Sequence, residues 1–126
     1  MSDTSSPTTP QPVSPQPVSP QPVSKVALGD LASLVGTTLG PTDGVEITQE
    51  RVNTFADATG DHQWIHVDVE RANAESPFGG PIAHGYLTLS LVNDLMPKML
   101  EVTDTSMGVN VGVDKVRFPS PVPVGS

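Results

Sequence analysis

The chain of 126 residues contains no cysteine, so disulfides, thiolate nucleophiles and thiolate metal sites are excluded. Basic residues are scarce: six Lys and Arg against fourteen Asp and Glu give a formal net charge of −8. The six are Lys25, Arg51, Arg71, Lys98, Lys115 and Arg117, and they are scattered along the chain. No basic stripe exists to neutralise phosphates, so no nucleic-acid partner is expected. Aromatic residues are few, at one Trp, one Tyr and three Phe. No apolar run approaches the ~20 residues that span a bilayer. The opening "MSDTSSPTTP" has neither the basic nor the apolar region of a signal peptide. These absences predict a cytoplasmic protein with no membrane partner.

Proline is what the chain has in excess, and it is unevenly placed. Residues 1–24 hold seven of the fourteen prolines and no Lys, Arg or aromatic residue. Within them "QPVSPQPVSPQPVS" repeats five residues, a period too short for a solenoid unit. Proline fixes φ and removes a donor, so residues 1–24 are expected to form an extended, disordered tail ahead of one domain at 25–126. Pro12-Val13-Ser14-Pro15 fits a P-x-x-P docking pattern, which proline-rich composition also matches by itself.

Proton-transfer groups gather in "GDHQWIHVD", residues 60–68, with Asp61, His62, His66 and Asp68 around the single Trp64. "VEIT" before it reads as a short strand, with Thr48 placed as a helix cap. "QERVNTFADATG" sets Val52, Phe55, Ala56 and Thr59 on one helical face and Gly60 at the C-terminal stop. Asp61 therefore follows a helix end. Asp68 is expected to cap a short helix over "VERANAE", and "SPFGGP" reads as loop, with Gly79 and Gly80 serving the turn.

The most apolar stretch, "IAHGYLTLSLVNDLMPKML", predicts a central helix over 82–96, buried on most sides, with His84 and Gly85 in its first turn. Pro97 should end or kink it. "MGVNVGVDKVRF" alternates as a strand over 107–118, with a phase change that implies a bulge or sharp bend at Asp114–Lys115. Two strands cannot cover such a helix. The chain is therefore expected to lack strands, or to take them from another chain.

The two segments "FADATGDHQWIHVDVERA" and "FGGPIAHGYLTLSL", with "NVGVDKVRFPSPVPVGS" after them, resemble the MaoC-like, or hydratase 2, family of (R)-specific enoyl-CoA hydratases and dehydratases. The resemblance runs from about Ala27 to Ser126. It implies an α+β hot-dog fold, a long central helix wrapped by antiparallel sheet, in a homodimer. It also implies strands beyond residue 126, so the chain reads as truncated at its C-terminus. Gln63 and Trp64 stand where the family pattern has Asn and Pro, but the Asp-to-His spacing is kept.

Adding water across a 2-enoyl thioester needs a base, a proton donor and a partner for the developing enolate oxygen. The resemblance assigns Asp61 and His66 to catalysis, with Asp61 as base and His66 orienting the water and relaying a proton; the reverse division stays open. Gly85 looks like the oxyanion donor through its N–H. Gly60 and Asn93 are supporting residues, Asn93 replacing a Ser that in some members bonds the catalytic Asp. The substrate class implied is an acyl thioester on coenzyme A or acyl carrier protein, with no cofactor. A metal site from His62, His66 and Asp68 would lack a third histidine on a rigid frame, so none is expected. His62 reads as exposed, His84 as a capping or packing residue, and Trp64 as a packing anchor. The alternatives are an inactive hot-dog fragment that binds acyl thioesters or a partner subunit, and a thioesterase, which shares the fold.

Overall fold

The structure is a computed structural model that describes residues 18–126. The P-x-x-P pattern of Pro12–Pro15 and the first half of the proline-rich repeat lie outside those residues. The chain order is strand β1 (Ser24–Val26), a 3-10 helix (Leu28–Leu34), α1 (Gln49–Thr59), α2 (Trp64–Val67), α3 (Val69–Glu75), α4 (Gly85–Ser90), α5 (Val92–Met99) and β2 (Leu100–Val102). β1 and β2 pair in parallel, with Ser24, Lys25 and Val26 opposite Leu100, Glu101 and Val102. Ser24 thus belongs to the folded domain, as does Gln21, whose N–H donates to Pro41 O at 2.9 Å.

The helix ends follow the expected chemistry. Thr48 accepts from Arg51 N at 3.1 Å and starts α1. Gly60 stops it in the left-handed conformation, φ 81, which a side chain would strain. Asp68 accepts from Arg71 N at 3.1 Å and starts α3. Val52 and Ala56 are the fully buried face of α1.

The apolar stretch departs from the single buried helix expected over 82–96. Ile82 and Ala83 are extended, because Ile82 bridges antiparallel to Pro123 and Ala83 N donates to Val122 O at 2.8 Å. Those bonds occupy backbone groups that a helix would need, so α4 begins at Gly85. It breaks at Leu91, and α5 then runs through Pro97 to Met99. Burial is also narrower than the side chains suggest. Leu87 is buried, but Tyr86, Val92 and Met96 are 70%, 44% and 52% exposed.

The strands differ as well. Among the described residues the only ladder is the parallel β1–β2 pair, which does not wrap the helix. Residues 107–118 are extended, unpaired and exposed. Their predicted irregularity is present: Lys115 has φ 55, where the alternation of apolar residues changes phase. The "VEIT" segment forms no regular strand, but Ile47 N donates to Ser126 O at 2.8 Å and Gly125 N to Ile47 O at 2.7 Å. The last five residues are thus laid between Ile47 and residues 81–83. Val122 and Val124 there close the core of Ile47, Val52, Ala83 and Leu87.

Candidate active site

Two segments meet behind the Gly60 turn. Ile82 N donates to Ile65 O at 3.0 Å, and the His66 ring donates from Nδ1 to Ile82 O at 2.7 Å. A carbonyl only accepts, so Nδ1 carries the proton and His66 Nε2 keeps its lone pair. Gln49, at the start of α1, donates to His66 O at 2.7 Å. His66 is consequently buried and fixed on both backbone and ring. Asp61 is exposed; its carboxylate accepts from Gln63 N at 3.3 Å.

His84 was expected only as a capping or packing residue, and the structure brings it to the site. It occupies the cap position of α4 but makes no capping bond. Its ring instead reaches Asp61 O through Nε2 at 2.9 Å and stacks on the His66 ring at 3.9 Å. The signals available were its place at the start of the apolar helix and in the family-like segment, neither of which names its partner. The contact spans 23 residues, which no local pattern encodes.

Asp61, His66 and His84 each offer one ligand atom, all within 4.8 Å of one another. One water bonded to two such atoms at about 2.8 Å, with a tetrahedral angle, spans about 4.6 Å. A two-histidine, one-carboxylate set is also of a kind that a divalent cation can share. It is not the set weighed from sequence. His62 turns outward to Asp57 at 2.9 Å, which raises its pKa above the ordinary value, and Asp68 is spent on its cap.

A pocket of about 210 Å³ opens over the pair, lined by Asp61, His66, His84, Gly85, Tyr86 and Phe118. A cleft of about 470 Å³, mostly apolar, shares Gly85 and Phe118 with it. Gly85 begins α4, where N–H groups lack partners within the helix. A Cβ there would meet the Phe118 ring at 2.8 Å, so glycine is required by this ring as well as by any ligand. Gly60 sets the turn into Asp61. Asn93 is not brought to the site: its Oδ1 accepts from Asn110 Nδ2 at 2.7 Å, beside a different cleft. Trp64 carries the Arg71 guanidinium 4.2 Å above its ring.

The described residues thus form an α+β domain with the Asp61 carboxylate and the His66 imidazole beside the first turn of α4. The MaoC like domain matches residues 30–126, and the chain belongs to that family, whose domain has the hot-dog fold. It is 57% identical over 100 residues to 3-hydroxyacyl-thioester dehydratase Z of Mycobacterium tuberculosis, covering 79% of this chain and 66% of that one. It is 55% identical over 106 residues to nodulation protein N of Rhizobium meliloti, covering 81% and 64%. The solved monoamine oxidase regulatory protein of Archaeoglobus fulgius superposes with a TM-score of 0.52 at 34% identity, covering 64% of this chain and 54% of that one. The chain thus spans about two thirds of the length of the curated relatives it matches. No helix among the described residues is long and apolar enough to cross a membrane.

Proposed function

We propose that the protein catalyses the reversible hydration of trans-2-enoyl thioesters to (R)-3-hydroxyacyl thioesters. The observation that carries this reading is the convergence of Asp61 and His66, each with a ligand atom within 4.8 Å of the other's, on one pocket that also contains Gly85. In the hydration direction Asp61 takes a proton from the bridged water, which attacks the β-carbon. His66 orients that water through the Nε2 lone pair, and the proton taken up by Asp61 is relayed through that Nε2 to the α-carbon, so that the water's hydroxide and proton both end on the substrate. The Gly85 N–H receives the thioester oxygen as charge develops. The adjoining apolar cleft is suited to the acyl chain. Both substrate atoms that change charge are served by groups of this chain, so the reading invokes no cofactor. The name of the mycobacterial relative, a 3-hydroxyacyl-thioester dehydratase, supports the substrate class.

A homodimer in the cytoplasm belongs to the same reading. Its support is the exposed apolar row of Met107, Val109, Val111 and Val113, together with Val92 and Met96, which a second copy would cover. The test is hydration of crotonyl-CoA, followed by loss of the enoyl absorbance. Hydration by wild-type protein, lost in Asp61→Asn with the melting temperature kept, is expected. Equal turnover in the variant would remove Asp61 from the mechanism.

A further inference from the structure

His84 is the most deeply buried of the three histidines, at 2% exposure, and the hydration chemistry gives it no task. Its ring has a defined state. Nε2 points at the backbone oxygen of Asp61, 2.9 Å away, so the proton sits on Nε2. Nδ1 is buried without a partner. An unpaired lone pair is better tolerated in an interior than an unpaired N–H, so burial selects the same tautomer. The ring face lies 3.9 Å from His66, and Phe55 packs 4.9 Å away.

Asp61 needs such a tether. It follows a left-handed glycine at a helix end and is exposed. Its other hydrogen bonds are long: 3.4 Å from its N–H to Thr59 Oγ1 and 3.3 Å from Gln63 N to its carboxylate. The bond from His84 is the shortest that the residue makes. His66 is held independently, at Ile82 O. His84 is thus the one side chain that grips Asp61 and stacks against His66. Its own peptide link leads directly to the Gly85 N–H.

We propose that His84 is a positioning residue that sets the Asp61–His66 spacing by holding the Asp61 main chain against the stacked imidazoles. The inference rests on the reading of Asp61 and His66 as the acid–base pair. A displaced base costs turnover more than affinity, because the substrate is still bound but the water is misaligned.

Three variants separate the bond from the packing. His84→Phe keeps the ring and its stack but cannot donate. His84→Gln keeps a donor at about the reach of Nε2 and loses the stack. His84→Ala loses both. In crotonyl-CoA hydration, H84F is expected to lose roughly 10- to 100-fold in kcat with little change in KM. H84Q should recover most of that loss. Wild-type kcat in H84F, or a loss in H84Q as deep as in H84F, would overturn the proposal. A second measurement needs no substrate. Nitrogen-15 spectra of the histidine rings should show His84 protonated at Nε2 and His66 at Nδ1. The Asp61 carbonyl carbon-13 signal should move in H84F and stay near its wild-type place in H84Q. A His84 ring protonated at Nδ1, or an unmoved Asp61 carbonyl in H84F, would overturn the proposal even in a protein that hydrates nothing. Absence of hydration with these signals as expected would instead defeat the hydratase reading alone.

Discussion

Residues 61–84 and residues 107–121 are both irregular for much of their length, yet they are held very differently. In the first, bonds cross between distant positions at short range: Ile82 N to Ile65 O, His66 to Ile82 O, and His84 to Asp61 O, at 3.0, 2.7 and 2.9 Å. In the second, Met107, Val109 and Val111 stand 77%, 74% and 97% exposed, and one side-chain bond, Asn110 to Asn93, ties the stretch to α5. The first segment carries the proton-transfer groups. The second contributes one wall of their pocket, the Phe118 ring. Buried hydrogen bonds, and not regular secondary structure, make an irregular segment rigid. The acid–base geometry should therefore be costly to perturb, and the extended stretch cheap.

The largest effect is expected where the rigid segment meets the water. Asp61→Asn keeps shape and removes the base, and should lower kcat roughly 100-fold or more. The carboxylate is exposed and accepts only the long bond from Gln63, so thermal melting should barely move. His66→Ala should cost similar turnover and also stability, about 1–3 kcal/mol, because the buried Ile82 carbonyl loses its donor. The double variant should be no slower than the worse single one, since the two hold a single water. Additive losses in steady-state kinetics would mean that the residues act on separate atoms.

The next effect lies at the seam between the two regions. Gly85→Ala places a Cβ 2.8–3.0 Å from three atoms of the Phe118 ring. Overpacking of this kind costs about 1–3 kcal/mol. Phe118→Leu should relieve much of it, and chemical denaturation of the single and double variants measures the coupling. An undiminished cost in the double variant would show that Phe118 is free to move aside.

How much of this was legible in the sequence follows the same division. Thr48, Gly60 and Asp68 were readable because capping is local: donor and acceptor lie three or four residues apart. Asp61 and His66 could be singled out as candidates because the family pattern marks their spacing. The ring contact of His84 was not readable, because it depends on the fold bringing residue 84 back to residue 61. Nor was the fate of Asn93, whose partner Asn110 lies across a turn. The alternation over 107–118 predicted a strand that does not form, although its irregularity at Lys115 is present, because alternation reports a preference for pairing and not a partner. Likewise the side chains of residues 82–96 marked an apolar helix, while its start was set by Val122 and Pro123, forty residues away in sequence. The role of residues 122–126 in closing the core came from backbone bonds that composition does not carry.

Substitutions in the extended stretch should do little to a single chain. Val111→Ser removes an apolar side chain that is 97% exposed, and should change the unfolding free energy by no more than about 0.5 kcal/mol at low protein concentration. With Val109→Ser and Val113→Ser added, sedimentation should show weaker self-association if a second copy covers the row. A destabilised monomer would place the row inside the domain's own core, and the contrast between the two regions would fail.

The smallest effect tests a charge at the edge of the rigid segment. The His62 ring lies 2.9 Å from the Asp57 carboxylate, and both side chains are largely in water, at 53% and 80% exposure. The hydrogen bond to Asp57 raises the His62 pKa above its ordinary value, with smaller help from Gly60. A raised pKa in the folded state means that folding favours the protonated ring. The pair's contribution is then fully present below the unfolded pKa of about 6.5, and is lost as pH rises through the raised folded value. Solvent and salt screen so exposed a pair, so the effect should be slight. Asp57→Asn should accordingly lower the melting temperature a little at pH 5.5 and not at pH 8.5, with the difference shrinking in high salt. Proton NMR titration should show the His62 pKa falling toward its ordinary value in the variant. An equal change in melting at both pH values would mean that Asp57 acts through α1 itself and not through the imidazolium.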